Sequence, residues 1–345
     1  MGLLDWFRQS TPQLDQERVS DALVDSTIDY VVKMTDARLA LVNQYRARLS
    51  GPVKRSLEFL AAQRSNLPAV HEVGPLAWSI DPSMRAFFAQ PADLLDTFGH
   101  CPPLLNYAAQ SVPLDPIFAI LAMEIDEQQR FGVGLQGEMM VRDVAHVTLS
   151  FSHHRLRLFA NSEAGLWQSV SRRMLDELSL IALEHMQAEQ SLRKELAEHR
   201  DLLSARLATF TRRGAGIDSF LSEAGTQVSP QESADLLHKL EENEARLEEL
   251  GCPTEMLDRQ LDYLAEVLAE PMRFIQLERC QPHLDSMNVV LSGNSETASG
   301  EQIEYNLVTF DRHPPQRRAF LPVRVDRALL GEARKLKLDN AERWL

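Results

Sequence analysis

The stretch Gly132-Val133-Gly134-Leu135-Gln136-Gly137 satisfies G-x-G-x-x-G. That spacing brings backbone close to a pyrophosphate when a strand precedes the glycines and a helix follows. Here the charged run Asp126-Glu127-Gln128-Gln129-Arg130 comes before them and a strand-like pattern after. The glycines therefore read as bulges or close backbone approaches in a sheet. The histidines form no metal signature, since H-E-x-x-H is absent. His185 with Glu189, and Glu195 with His199, stand one helical turn apart. That spacing can share a metal, and ordinary helix-surface pairs have it too. His153-His154 falls on a predicted turn, where neighbouring side chains diverge. Cys101 follows His100, but Pro102-Pro103 marks a loop there. There is no G-x-S-x-G elbow and no P-loop. No metal and no cofactor is expected. An enzymatic reading needs a site assembled from distant residues, where the sheet meets proline-broken helices, with His100, His146 and Asp143 as candidates.

Charge and cysteine usage narrow the classes further. Lys and Arg number 36 against 50 Asp and Glu, a formal net charge of −14. A general nucleic-acid binder needs the opposite balance to neutralise phosphates. Cys101, Cys252 and Cys280 are too far apart for a zinc pattern or a disulfide framework, which fits a reducing cytoplasm. Asp5 interrupts the apolar start, so no signal peptide is read, and no window offers the ~20 apolar residues of a membrane span. Trp6 stands where myristoylation expects Ser or Thr. Two local patches go against the acidic average. Leu3, Leu4, Trp6 and Phe7 form an apolar cluster, read either as a contact with a membrane surface or as a turn docked on protein. Arg312, Arg317, Arg318, Arg324, Arg327, Arg334, Lys335 and Lys337 face only Asp311, Asp326 and Glu332. They balance an acidic run (Glu241, Glu242, Glu244, Glu248, Glu249), within a chain or across a dimer, or they contact phosphate on lipid or nucleic acid.

The elements that must position these residues are more legible than any site. A helix is predicted from Glu163 to Phe210, with Asn161 and Ser162 as capping residues. Its first half is apolar over a wide face (Leu166, Trp167, Val170, Met174, Leu175, Leu178, Ile181), as packing on a body requires. Its second half narrows to a seam through Leu192, Leu196, His199, Leu203 and Leu207. Ser229-Pro230-Gln231-Glu232 reads as a capping box opening a second helix. Leu236, Leu240, Asn243, Leu247 and Leu250 repeat along that helix and Gly251 closes it. An antiparallel hairpin satisfies both seams; so does a parallel dimer.

Elsewhere, a helical stretch from Asp15 to Leu49 is expected to end at Gly51-Pro52, with a shorter helix to Gln63. Leu67 to Pro82 reads as a loop pinned by Trp78 and Ile80. Short helices follow between Pro82 and Gln110, with Asp81 as cap and Phe87 and Phe88 inward. Pro116 to Gln129 fits either a buried helix or a buried strand. A strand from Phe131 to Met140 and a hairpin turning at Ser152-His153-His154 come next. A helix from Thr254 to Ala269 precedes strands at Phe274–Leu277, Asn288–Leu291, Ile303–Phe310 and Phe320–Val325, and a final helix starts at Asp326. Divisions are placed at 1–14, 15–129, 130–160, 161–250 and 251–345. The expected fold is α+β and helix-rich. Its antiparallel sheet is assembled from two sequence-separated strand regions, with a long antiparallel, coiled-coil-like helical arm inserted between them. The expected function is that of a non-catalytic cytoplasmic scaffold or adaptor, membrane-peripheral through its N-terminus, with other proteins or a second copy as partners. The alternatives are the non-local enzyme and a regulator using the basic C-terminal segment.

Overall fold

Two strands far apart in sequence carry the sheet: β2 (Ile117–Gln136) and β8 (Gln316–Val325) pair antiparallel from Ile117↔Val325 to Met123↔Ala319. The computed structural model describes residues 20–65, 67–111, 116–136, 139–215, 230–252, 255–291, 300–311 and 316–330. Within them a six-stranded sheet runs in the order β3-β2-β8-β7-β4, with β1 parallel to β8. Here β1 is His71–Val73, β3 is Met139–Ala160, β4 is Ile275–Cys280 and β7 is Tyr305–Phe310. Two short strands, β5 (His283–Leu284) and β6 (Glu301–Gln302), pair separately. The fold is α+β, with strands from both sides of the long helix in one antiparallel sheet.

Strand alternation explains the two layers. Ile117, Ala119, Leu121 and Met123 of β2, with Ala319, Leu321, Val323 and Val325 of β8, enter one core. Helices α3 (Pro75–Ile80), α4 (Pro82–Phe87), α5 (Pro91–Gly99) and α6 (Pro102–Gln110) cover that face through Met84, Phe87, Phe88, Phe98 and Leu104. Ile120 and Phe320 point the other way, toward Leu166 and Trp167 of α7 (Glu163–Ala215). Beyond them lies a helical core of α1 (Asp21–Met34), α2 (Tyr45–Ser65), the first half of α7 and α9 (Met256–Ala269). Tyr30 of α1 donates its hydroxyl hydrogen bond to Asp176 of α7, and Arg172 lies 5.1 Å from the centre of the Tyr30 ring. A single turn, α10 (Pro271–Phe274), leads into β4.

Several local expectations are corrected. The first helical stretch is two helices, because Asp36 caps a 3₁₀ turn at Ala37–Leu41 between them. Gly51-Pro52 does not end α2, which continues through Pro52 to Ser65. An interior proline costs about 3 kcal/mol. Leu49, Val53 and Leu57 are fully buried on the same helix, each contributing about 1.5–3 kcal/mol. The Ser56 hydroxyl also donates to the Leu268 carbonyl at 2.6 Å. Burial outweighs the local breaker. The stretch read as a loop contains β1 and α3. Trp78 does anchor it, donating from Nε1 to the Phe88 carbonyl at 2.9 Å, whereas Ile80 is exposed. Two residues along a helix face nearly opposite ways, so one turns out when the other turns in.

The hairpin turn also moves. β2 ends at Gln136 and β3 starts at Met139, while Ser152-His153-His154 lies inside β3. The pairing slips by one residue at three places, each time with the extra residue in β3. His153 and Leu158 have left-handed backbone, at φ 51 and φ 56. The turn-like composition marked a bulge. It sends His153 toward Glu124 at 3.3 Å and lets His154 stack on Phe88 at 4.5 Å. Gly132 and Gly134 of G-x-G-x-x-G bracket the outermost slip; Gly137 lies outside the described residues.

Pro52→Ala restores a donor for the Arg48 carbonyl inside a helix that already forms. It is expected to raise unfolding free energy by about 1–2 kcal/mol after the unfolded-state entropy that proline removes is counted. A denaturant midpoint that does not rise would show that α2 carries no proline strain.

Candidate functional site

The arm begins where α7 leaves the body. The Ser162 hydroxyl accepts from the Gly165 N–H at 3.1 Å and caps the helix. The helix runs for 53 residues, past the expected end at Phe210. At 1.5 Å per residue that is about 80 Å. Its outer half packs against α8 (Pro230–Glu249), which returns antiparallel. The seam therefore closes within one chain. Pro230 is the first helical residue; Ser229 of the predicted capping box lies outside the described residues.

Along the seam Leu196 and Leu203 are buried, and Leu207, Leu236, Leu240 and Leu247 are half-buried. Leu192 is 47% exposed, and its neighbour Arg193 turns inward instead. Asn243 is only 4% exposed and its Nδ2 donates to His199 Nδ1 at 3.2 Å, while Asn243 Oδ1 has no partner among the described residues. An incompletely satisfied amide on a helix seam sets register at a cost in stability. The outward side of α8 carries Glu241, Glu242, Glu244, Glu248 and Glu249, all exposed.

The root of the arm is a clamp that no local pattern announced. Arg193 of α7 and Arg259 of α9 both donate to the Leu250 carbonyl at the end of α8. Arg193 also reaches the Gly251 carbonyl at 2.9 Å, and Arg259 meets Glu189 of α7 at 3.2 Å. Two guanidinium groups thus satisfy carbonyls at the negative end of the α8 dipole. Gly251 has φ +73, and a Cβ there would lie 2.9 Å from Arg259 Nη1.

No family model, curated protein or solved structure matches this chain.

The residues proposed for chemistry do not converge. Among the described residues, no group of three or more His, Cys, Asp and Glu side chains is placed to hold a metal. His185 stacks on Tyr263 at 3.7 Å between ring centres, and His199 is engaged by Asn243. His100 pairs with Asp96 at 2.6 Å on the end of α5, and Cys101 opens α6. His146 stands opposite Arg130 in β3; the Asp143 side chain lies outside the described residues. The described arginines of the C-terminal segment pair with the body and not with the acidic arm. Arg317 meets Glu127 at 3.2 Å, Arg318 meets Glu124 and Arg324 meets Glu72 at 2.5 Å. Arg327 donates to the Ala108 carbonyl at 2.8 Å and to Ser111 Oγ at 2.6 Å. The reason is register: β8 lies between β2 and β1, so its side chains reach acids on those strands first. Arg312, and Leu3, Leu4, Trp6 and Phe7, lie outside the described residues.

One ion pair resembles catalytic machinery and was not foreseen. His71 Nδ1 meets Asp81 Oδ2 at 2.5 Å, Asp81 Oδ1 accepts from the Ser83 N–H at 2.8 Å, and His71 Nε2 is buried without a partner among the described residues. Burial pushes the Asp81 carboxyl up, but the His71 hydrogen bond and charge and the α4 backbone N–H groups outweigh it. They hold it below its ordinary value. The pair clips β1 to α4. Packing shifts three further groups. Burial lowers His154; burial raises Cys280 and Tyr305, which are bonded to each other across β4 and β7.

Two outcomes follow from these contacts. Gly251→Ala forces a left-handed alanine against Arg259 and is expected to cost about 1–2 kcal/mol. Denaturant melts with Arg259→Ala as comparison check it; the two losses should not add, because both act on one clamp. Asp81 has a lowered folded pKa, so its contribution is present above the unfolded value near 4 and lost as pH falls through the folded value. Asp81→Asn should flatten the acid limb of a stability-versus-pH curve below about pH 4. An unchanged limb would mean that the pair is energetically silent.

Proposed function

We propose that this chain is a non-catalytic cytoplasmic scaffold or adaptor that acts through its helical arm in a protein assembly. The observation that carries the reading is the arm: a 53-residue helix whose outer half packs along its own return helix. Folding the body does not require that extension, because both sheet faces are covered by the first half of α7 and by the shorter helices. The arm presents what a partner surface uses. Leu202 is 50% and Leu237 45% exposed among charged neighbours, and the α8 exterior is acidic. Cys101, Cys252 and Cys280 form no disulfide, in keeping with a reducing compartment. Among the described residues no helix is long and apolar enough to cross a membrane. Attachment to a membrane surface would rest on Leu3, Leu4, Trp6 and Phe7.

The test shortens the arm in register. Removing residues 203–239 and closing the gap with a short Gly-Ser turn leaves the body, the Arg193–Arg259 clamp and the Asn243–His199 pair in place. Native mass measurements on gentle lysates should show the full chain in a larger assembly and the shortened chain outside it. Association with other proteins that survives the shortening would move the interaction to the body, and a full chain that is monomer or homodimer with no other protein would favour the enzymatic alternative.

A further inference from the structure

The outer half of the β2–β3 hairpin leaves the sheet. β8 pairs with β2 only as far as Met123, whereas β2 and β3 stay paired out to Gln136↔Met139. Beyond a bridge from Thr148 to Val289 the hairpin is two-stranded among the described residues, and Phe131 on it is 72% exposed. A two-stranded ribbon is marginal in water; three or more strands are not.

Its two edges are treated differently. The β3 edge takes the extra residue at every slip. It is also covered at Thr148, which bridges Val289, with Leu149 N donating to the Asn288 carbonyl at 2.9 Å and Val290 N to the Val147 carbonyl at 2.8 Å. Bulges and cover are how proteins close an edge strand to foreign pairing. The β2 edge shows neither among the described residues. Arg317 and Arg318 close its base through Glu127 and Glu124. From Gln128 to Gln136 it gains no residue at the Gly132/Gly134 slip, has no proline, carries Arg130 as its single charge, and is unpaired among the described residues.

That open stretch is self-complementary. Antiparallel pairing with its own copy about a two-fold axis at Gly132 uses the whole stretch. Phe131 then stands opposite Val133, Gln129 opposite Leu135, Gln128 opposite Gln136 and Arg130 opposite Gly134. An aromatic meets a β-branched residue, a favoured cross-strand pair, and no like charges meet. Moving the axis two residues toward the base would set Arg130 against itself.

We propose that the β2 edge from Gln128 to Gln136 is a homodimer interface, where a second copy of this chain adds its β2 antiparallel and two ribbons become one four-stranded sheet. The geometry is isologous and closes at two copies. It does not depend on the arm, so the arm-shortened chain keeps it.

Two measurements on the full chain test this. Sedimentation over a concentration series should show a monomer–dimer equilibrium. Val133→Lys, which places a charge opposite Phe131, should raise the dimer dissociation constant at least tenfold. Oxidative cross-linking in a chain with Cys101, Cys252 and Cys280 changed to Ser fixes the register. Residues opposite each other on antiparallel strands lie about 4.5–5.5 Å apart, within disulfide reach. Gly132→Cys should therefore give a covalent dimer, and His146→Cys on β3 should not. A chain that is monomeric at every concentration, a dimer indifferent to Val133→Lys, or cross-linking at residue 146 without cross-linking at 132 would each overturn the proposal. If Val133→Lys lowers the thermal midpoint, the cross-linking pair decides alone. Capture of Gly132→Cys by a different polypeptide, with no self-linked product, would assign the edge to a foreign strand and refute the homodimer.

Discussion

The pairing of β2 with β8 is the constraint on which the rest depends. Neither strand region completes a sheet by itself: the first supplies β1, β2 and β3, the second β4, β7 and β8. Joining them brings the chain back after the excursion of α7 and α8, so the arm's two ends must return to nearly one place. Closing so long a loop costs only a slowly growing entropy, since each doubling of length adds roughly 0.6 kcal/mol. The antiparallel packing of α8 on α7 offsets that cost by returning the chain to its starting point.

The same requirement explains the chemistry at the arm's root. α8 ends against the body at Gly251, where its last carbonyls would otherwise lie between helices without donors. Arg193 and Arg259 supply the donors from α7 and α9, and Glu189 orients Arg259. Farther out the seam carries less apolar burial than the body: Leu196 and Leu203 are buried, but Leu207, Leu236, Leu240 and Leu247 only in part. The clamp and the Asn243–His199 contact therefore matter more for how the arm is aimed and registered than for how strongly the fold is held.

Ionisable groups elsewhere are engaged in holding elements together. His71 and Asp81 join β1 to α4, Arg324 and Glu72 join β8 to β1, and Arg318 and Glu124 join β8 to β2. The two exposed arginine pairs contribute about 0–1 kcal/mol each. They also occupy the C-terminal arginines that a reading of charge alone would offer to phosphate.

By itself the sequence determined the features that depend on neighbours along the chain. The cap at Ser162, the wide apolar face narrowing to a seam, the close at Gly251 and the alternation of Ile303 to Phe310 each arise within a turn or two, so local residue types decide them. The tertiary structure alone decided what depends on distant partners. Pro52 stays helical because Leu49 and Val53 are buried against other helices. Ser152-His153-His154 looks like a turn and is a bulge, because β2 offers a partner on both sides of it. Arg193 rather than Leu192 faces inward, because the Leu250 carbonyl waits there from 57 residues away. Local composition states what each segment prefers; which preference prevails is set by apolar area and hydrogen-bond partners that only the folded chain brings within reach.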